Sequence, residues 1–300
     1  GGIKLMAIID KPSDFINTKL YTGNGGTNAQ TGVGFKPDLT WIKNRTASGE
    51  GHHLYDVVRG VTKRIRSDTN AAESTVSTGL TTFGTDGFTV GNTAGVNGNG
   101  NGIVAWNWKA GTAVSGNTTG SGTYKSYSGS VNTTAGFSII KYTGNGAAGH
   151  TIPHRLGVTP STIFVKMTSD TGDWSSYHSA LGNTKYMRLS GSGTSTTSST
   201  YWNNTSPNST NFTVGTTGNL NGNNSTFIAY CFADVKGYSK MSGYTGNANT
   251  NGTFVYTGFK PTFVMFKATA SNESWQIYDT KRNPANALGE YLNPNNTSAA

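Results

Sequence analysis

Hydrolysis or group transfer requires titratable side chains that converge on one substrate atom, and this chain can offer 14 Asp and Glu together with five His. Glycoside hydrolysis would need two carboxyl groups about 5–10 Å apart. Asp56 with Asp86 and Asp279 with Glu290 are the pairs that could serve it. A related stretch between them carries His178 and Phe212 at those places, so the pair is not kept and no catalytic residue is expected. His150 and His154 have the spacing of a zinc pair on a helix, but Pro153 between them argues for a loop. His52 and His53 are adjacent and would point to opposite faces of a strand. No metal site and no cofactor are expected; calcium held by Asn-rich loops is the alternative, although no D-x-D-x-D-G string occurs. The lone Cys231 cannot close an internal disulfide and reads as a small buried thiol rather than a nucleophile.

Aromatic side chains are the stronger lead. Trp174 and Tyr177, like Trp275 and Tyr278, stand three residues apart, which in an extended strand puts the two rings on opposite faces. One ring would then belong to a core while the other could look outward. With Tyr55, these four form the candidate ligand-binding set, a platform for stacking sugars or a partner, flanked by Asn and Thr. The opposing reading buries both rings under loops or a neighbouring unit.

These residues recur because the chain repeats itself. Tyr21-Thr22-Gly23-Asn24, Tyr142-Thr143-Gly144-Asn145 and Tyr244-Thr245-Gly246-Asn247 are three matching openings. Each is followed by a proline (Pro37, Pro160, Pro261), then by a β-branched and aromatic run that includes a lysine (39–45, 162–168, 262–269). Next come His52 to Asp56, Trp174 to His178 and Trp275 to Asp279, aligned on the tyrosine. The first two copies share a closing block, 87–111 and 211–235, in which Val104, Trp106 and Trp108 fall on one strand face as do Ile228, Tyr230 and Phe232. The period is that of a domain repeat, too long for a solenoid. The third copy reaches residue 300 without a closing block, and the expectation is that the chain continues; the alternative is completion by a neighbouring chain.

The elements that must position these residues read as strands throughout. Runs rich in Val, Ile, Thr and aromatics are bounded by Gly and Asn clusters, and no long helical periodicity appears. Asn-Gly pairs such as 24–25, 97–98 and 145–146 are expected to make type I′ hairpin turns. The fold class is therefore all-β, tandem antiparallel β-sandwiches of jelly-roll or laminin-G/concanavalin-like kind. The expected organisation is an N-terminal arm over 1–17, unit 1 over 18–111, a Gly/Ser/Thr-rich linker over 112–136, unit 2 over 137–237 and an incomplete unit 3 over 238–300. Gly1 to Leu5 precede Met6 and are expected to be leader residues.

Composition narrows the partners. Only 12% of residues are charged and the formal net charge is +9, but basic residues cluster no more densely than Lys63-Arg64-Ile65-Arg66, so no nucleic-acid-tracking stripe is expected. No apolar run is long enough for a membrane helix, and membrane insertion is not expected. A hydrophobic share of 34% leaves each unit a small core, and few charges guard the sheet edges, so homo-oligomers are expected.

The stretches AIIDKPSDFINTKLYTGNG (7–25), GFKPDLTWIKNR (34–45), LYDVVRG (54–60), DWSSYHSALG (173–182), YWNNTSPNS (201–209) and FIAYCFADVKGYSK (227–240) resemble virion-associated, tail-fibre-like structural proteins of marine tailed phages. The resemblance runs from Met6 to the end. It implies a structural protein of repeated β-sandwich domains, assembled in the host cytoplasm into the virion and extracellular when it works. The expected function is non-enzymatic: a tail-fibre or adhesin-type appendage contacting host surface glycans, with itself and other virion proteins as partners. A purely architectural virion or filament subunit without ligand is the alternative, and a polysaccharide depolymerase spike is the third reading.

Overall fold

The computed structural model describes residues 8–284 and 289–300, so the expected leader, residues 1–5, lies outside the described residues. The chain is β-structure joined by short turns, as expected. Unit 1 contains β1 (Ile16–Thr22), β2 (Asn28–Gln30), β3 (Leu39–Asn44), β4 (His52–Asp56), β5 (Lys63–Arg66), β6 (Ser74–Thr75), β7 (Leu80–Gly84), β8 (Gly87–Val90) and β9 (Gly102–Trp108). Its main sheet has the order β1-β9-β3-β4-β5-β6, and a small sheet, β2-β8-β7, covers one face.

Next come β10 (Thr112–Asn117), β11 (Thr119–Gly120), β12 (Ser126–Asn132), β13 (Phe137–Thr143), β14 (His150–Pro153), β15 (Thr162–Met167), β16 (Ser175–His178), β17 (Lys185–Arg188), β18 (Thr196–Thr197), β19 (Asn211–Val214) and β20 (Thr226–Phe232). The unit 2 main sheet, β10-β12-β13-β20-β15-β16-β17-β18, contains the order of the unit 1 sheet, and β11-β14-β19 covers it. Register confirms the equivalence. Trp41 lies opposite Trp106, and Phe164 opposite Tyr230. Thr40 opposes Tyr55, and Ile163 opposes Tyr177. In both units the closing strand, β9 or β20, is central, with the opening strand on one side and the Pro-preceded strand on the other.

Three expectations are corrected. Segment 112–136 is not a linker: β10, β11 and β12 pair onto the sheets of unit 2, because the edge beside β13 offers free backbone groups that even a Gly- and Ser-rich strand can meet. The N-terminal arm is shorter than expected, since β1 begins at Ile16 after a 3₁₀ turn at Pro12–Asp14. The Asn-Gly pairs do not make type I′ turns. None of Asn24, Asn97 or Asn145 has positive φ; instead Asn24 and Asn145 accept from the N–H two residues on, and Asn97-Gly98 closes a four-residue helical turn.

Among its described residues, unit 3 has only the hairpin β21 (Phe263–Phe266) and β22 (Gln276–Asp279), plus a bridge from Ile277 to Leu292. Among the described residues, 240–262 contain no strand.

Each complete sandwich encloses its own core. Tyr55, Phe88, Val90 and Ile103 belong to that of unit 1, and Tyr142, Phe212, Phe227 and Cys231 to that of unit 2. A third core belongs to no single unit: Trp41, Leu54, Trp106 and Trp108 of unit 1 meet Phe137, Trp174, Ile228 and Tyr230 of unit 2 and Trp275, Ile277 and Leu292 of unit 3. The main sheets are therefore covered on both faces, once by their own small sheet and once by a neighbouring unit.

Candidate functional site at the meeting of the three units

The shared core is held by contacts that recur around a ring. Trp174 Nε1 of unit 2 donates to the Arg66 carbonyl of unit 1 at 2.8 Å, and Trp275 Nε1 of unit 3 donates to the Arg188 carbonyl of unit 2 at 2.9 Å. His52 stands at the corresponding place of unit 1 and faces the backbone of Asn293 in unit 3, although its Nε2 reaches no partner at full hydrogen-bond geometry among the described residues. Backbone contacts follow the same cycle. Glu73 N–H donates to Thr168 O, Ser195 N–H to Thr269 O and Ala300 N–H to Arg45 O. Units 1 and 2 thus each offer the segment after the aromatic hairpin to the next unit, and the end of unit 3 returns the contact to unit 1.

Buried ion pairs complete the ring. Asp56 pairs with Arg59 at 2.6 Å, with both side chains almost fully buried, and Asp279 pairs with Arg282 at 2.6 Å in the same three-residue spacing. Burial is the largest single influence and works against the Arg59 charge, but Asp56, Tyr230 and Glu73 together outweigh it and hold the pKa above the ordinary value. Tyr230 Oη donates to Asp56 at 2.7 Å, and its equivalent, Trp106 Nε1, donates to Asp279 at 3.0 Å. Arg282 also lies 5.8 Å from the Trp106 ring centroid. In unit 2 the matching positions are His178 and Leu181, where no ion pair can form.

The residues singled out in the sequence lie inside this framework. Trp174, Tyr177, Trp275 and Tyr55 are buried, and Tyr278 is half-buried, stacked on Phe266 with ring centroids 5.5 Å apart. This corrects the outward-facing platform. The rings do alternate as expected, with Trp174 in the shared core and Tyr177 in the core of its own unit. Both are covered because both faces of the sheet are covered. The carboxylates considered for catalysis serve separate loops: Asp56 and Asp279 lie in the ion pairs, whereas Asp86 accepts the backbone N–H groups of Gly32 and Gly34. Burial pushes the Cys231 thiol up to about 12, as befits a packing residue.

Sequence reasoning missed two repeated polar devices. Lys43 and Lys166 have no solvent exposure, and each closes a loop with its ammonium: Lys43 Nζ donates to Asn44 O and Glu50 O, and Lys166 Nζ to Asn70 O, Met167 O and Gly172 O. Burial lowers the pKa of both to about 8. Asn97 and Asn221 are also fully buried, and their amides tie the opening loop to the closing block. The tyrosines of the opening motif add to this, Tyr21 Oη donating to Val96 O at 2.6 Å and Tyr142 Oη to Leu220 O at 2.7 Å. Their recurrence at fixed places in the repeat was the available signal.

The described residues contain no cluster of three or more His, Cys, Asp or Glu that could hold a metal ion, and no helix among them is long and apolar enough to cross a membrane. Fold and site together define an all-β protein of tandem sandwiches whose most chemically capable side chains hold its units together. The chain belongs to the family described as a domain of unknown function, DUF7483, whose model matches residues 11–300. No curated protein and no solved structure matches it.

Proposed function

We propose that this chain is a non-enzymatic architectural protein of a tailed-phage virion, a building block of an external appendage. One observation carries the choice of architecture over ligand binding: four of the five aromatics proposed for ligand stacking are buried in the cores, with Trp174 and Trp275 donating to backbone carbonyls of the neighbouring unit. The buried Asp–Arg pairs fit the same reading, since a carboxylate held by arginine in a dry core is unavailable to a substrate. The phage context rests on the sequence resemblance.

An antibody raised against the chain should decorate one discrete part of intact virions in electron microscopy, and the chain should co-purify with particles at a fixed ratio. Absence from purified virions would overturn the reading. Saturable binding to a defined glycan on an array would favour the adhesin instead, and release of reducing sugar from a capsular polysaccharide would favour the depolymerase.

A further inference from the structure

Units 1 and 2 show what unit 3 lacks. Their central strand fills two roles: it pairs on both sides within its own sheet, and it sends an aromatic donor across to the Asp of the preceding unit in the ring. Among the described residues, β21 of unit 3 pairs only with β22, and its other edge has no strand partner. Val264 is 37% exposed, whereas the equivalent strands β3 and β15 have no exposed residue. The opening segment has lost its partner as well. Tyr244, whose equivalents bond the closing block, is 56% exposed, and Phe254 is 86% exposed.

Where the third central strand would lie there is a cleft of about 1290 Å³, walled by Trp41 and Trp108 of unit 1, Phe164 and Phe232 of unit 2, and Phe263 and Met265 of unit 3. Phe164, Phe232, Phe263 and Met265 are only half-buried although they pack against the shared core. Two hydroxyls in the wall, Thr162 Oγ1 and Ser176 Oγ, are buried with no hydrogen-bond partner among the described residues. His178 also lines the cleft, at the place that Asp56 and Asp279 occupy in the other units. Its Nδ1 accepts from Ala180 N–H at 3.1 Å, and its Nε2 has no partner among the described residues.

We propose that this cleft is an acceptor for one extended β-strand of closing-block type, supplied by polypeptide outside residues 1–300. The strand adds to the free edge of β21 by backbone hydrogen bonding, gives segment 240–262 a ladder partner, and turns alternate aliphatic and aromatic side chains onto the shared core. A tyrosine or tryptophan at its centre meets His178, completing the cycle of Tyr230 with Asp56 and Trp106 with Asp279. A folded second copy cannot be the donor. Its own closing strands, β9 and β20, are the central strands of their sheets and are almost wholly buried, so releasing either one would unfold a unit.

The test uses residues 1–300 and a synthetic peptide with the sequence of residues 211–235. Saturating peptide should slow hydrogen exchange of the 263–266 amides by about tenfold or more and protect 240–262 from protease, since protection reports pairing of these groups. The same peptide with Pro in place of Tyr230 should neither bind nor protect. His178→Ala should weaken binding of the native peptide about fivefold, in line with one lost hydrogen bond. Unchanged exchange at 263–266 with native peptide, or equal protection by the proline peptide, would overturn the proposal. These readouts are independent of whether the chain is found on virions.

Discussion

At the scale of single residues, this protein places charge and hydrogen-bonding capacity where water is excluded, which makes a few side chains disproportionately costly to change. Asp279→Ala would leave the Arg282 guanidinium buried beside Trp106 with no counter-charge. We expect a loss of about 3–5 kcal/mol of stability, measured by denaturant unfolding. Tyr230→Phe removes one donor to Asp56 and should cost less, about 1–3 kcal/mol. If Asp279→Ala proved as mild as a surface substitution, the ion pair would not hold the units together.

The histidines predict how stability depends on pH. Burial is the leading cause of a lowered pKa in all five, His52, His53, His150, His154 and His178, with His53 taken down to about 3. A group whose folded pKa lies below its unfolded value binds more protons when unfolded. Its contribution is therefore complete above about pH 6.5 and is lost as pH falls toward the folded value. Trp41 Nε1 donates to His52 Nδ1 at 2.9 Å, a bond that protonation of that nitrogen breaks. Unfolding free energy should fall steadily from pH 6.5 to pH 4, and a flat profile over that range would contradict the buried, neutral histidines.

At the scale of elements, the closing strand and the loop it holds are the unit of construction. Gly23 and Gly144 recur because the closing block approaches the opening loop so closely: a Cβ at Gly23 would stand 2.1 Å from Gly98 O, and one at Gly144 2.4 Å from Gly222 O. Gly246 occupies the same motif in unit 3 and has nothing within 4 Å. Gly23→Ala and Gly144→Ala should each destabilise by about 1–3 kcal/mol, as overpacked sites do, while Gly246→Ala should change little. Thermal unfolding of the three variants checks this, and equal effects at all three positions would refute the close-approach argument.

At the scale of the whole molecule, the shared core draws side chains from all three units, so they should unfold as one cooperative body. The thin cores expected from composition are shielded, but by neighbouring units of the same chain. Trp106 touches Trp41 in its own unit and Phe263 in unit 3, so Trp106→Ala should cost about 3–5 kcal/mol and lower the whole transition rather than that of unit 1 alone. Calorimetry should show one transition whose calorimetric and van't Hoff enthalpies agree. Two resolved transitions, with only one moved by the substitution, would mean that units 1 and 2 fold independently.

The amino-acid order alone determined the repeat, the strands and the facing of their side chains, because alternation of apolar residues and the prolines before β3, β15 and β21 are local signals. It aligned Trp106 with Tyr230 and Tyr55 with Tyr177 across the units, which the register bears out, and it put Cys231 in a core. Only the tertiary structure decided what covers each face. Alternation says that Trp174 and Tyr177 point opposite ways, but not that a second sheet lies over one and a neighbouring unit over the other. Nor could composition reveal that 112–136 joins a sheet, since edge pairing uses backbone groups that every residue except proline carries in full. The ring itself depends on contacts such as Ala300 N–H to Arg45 O, between residues at opposite ends of the chain, and no local pattern encodes which ends meet.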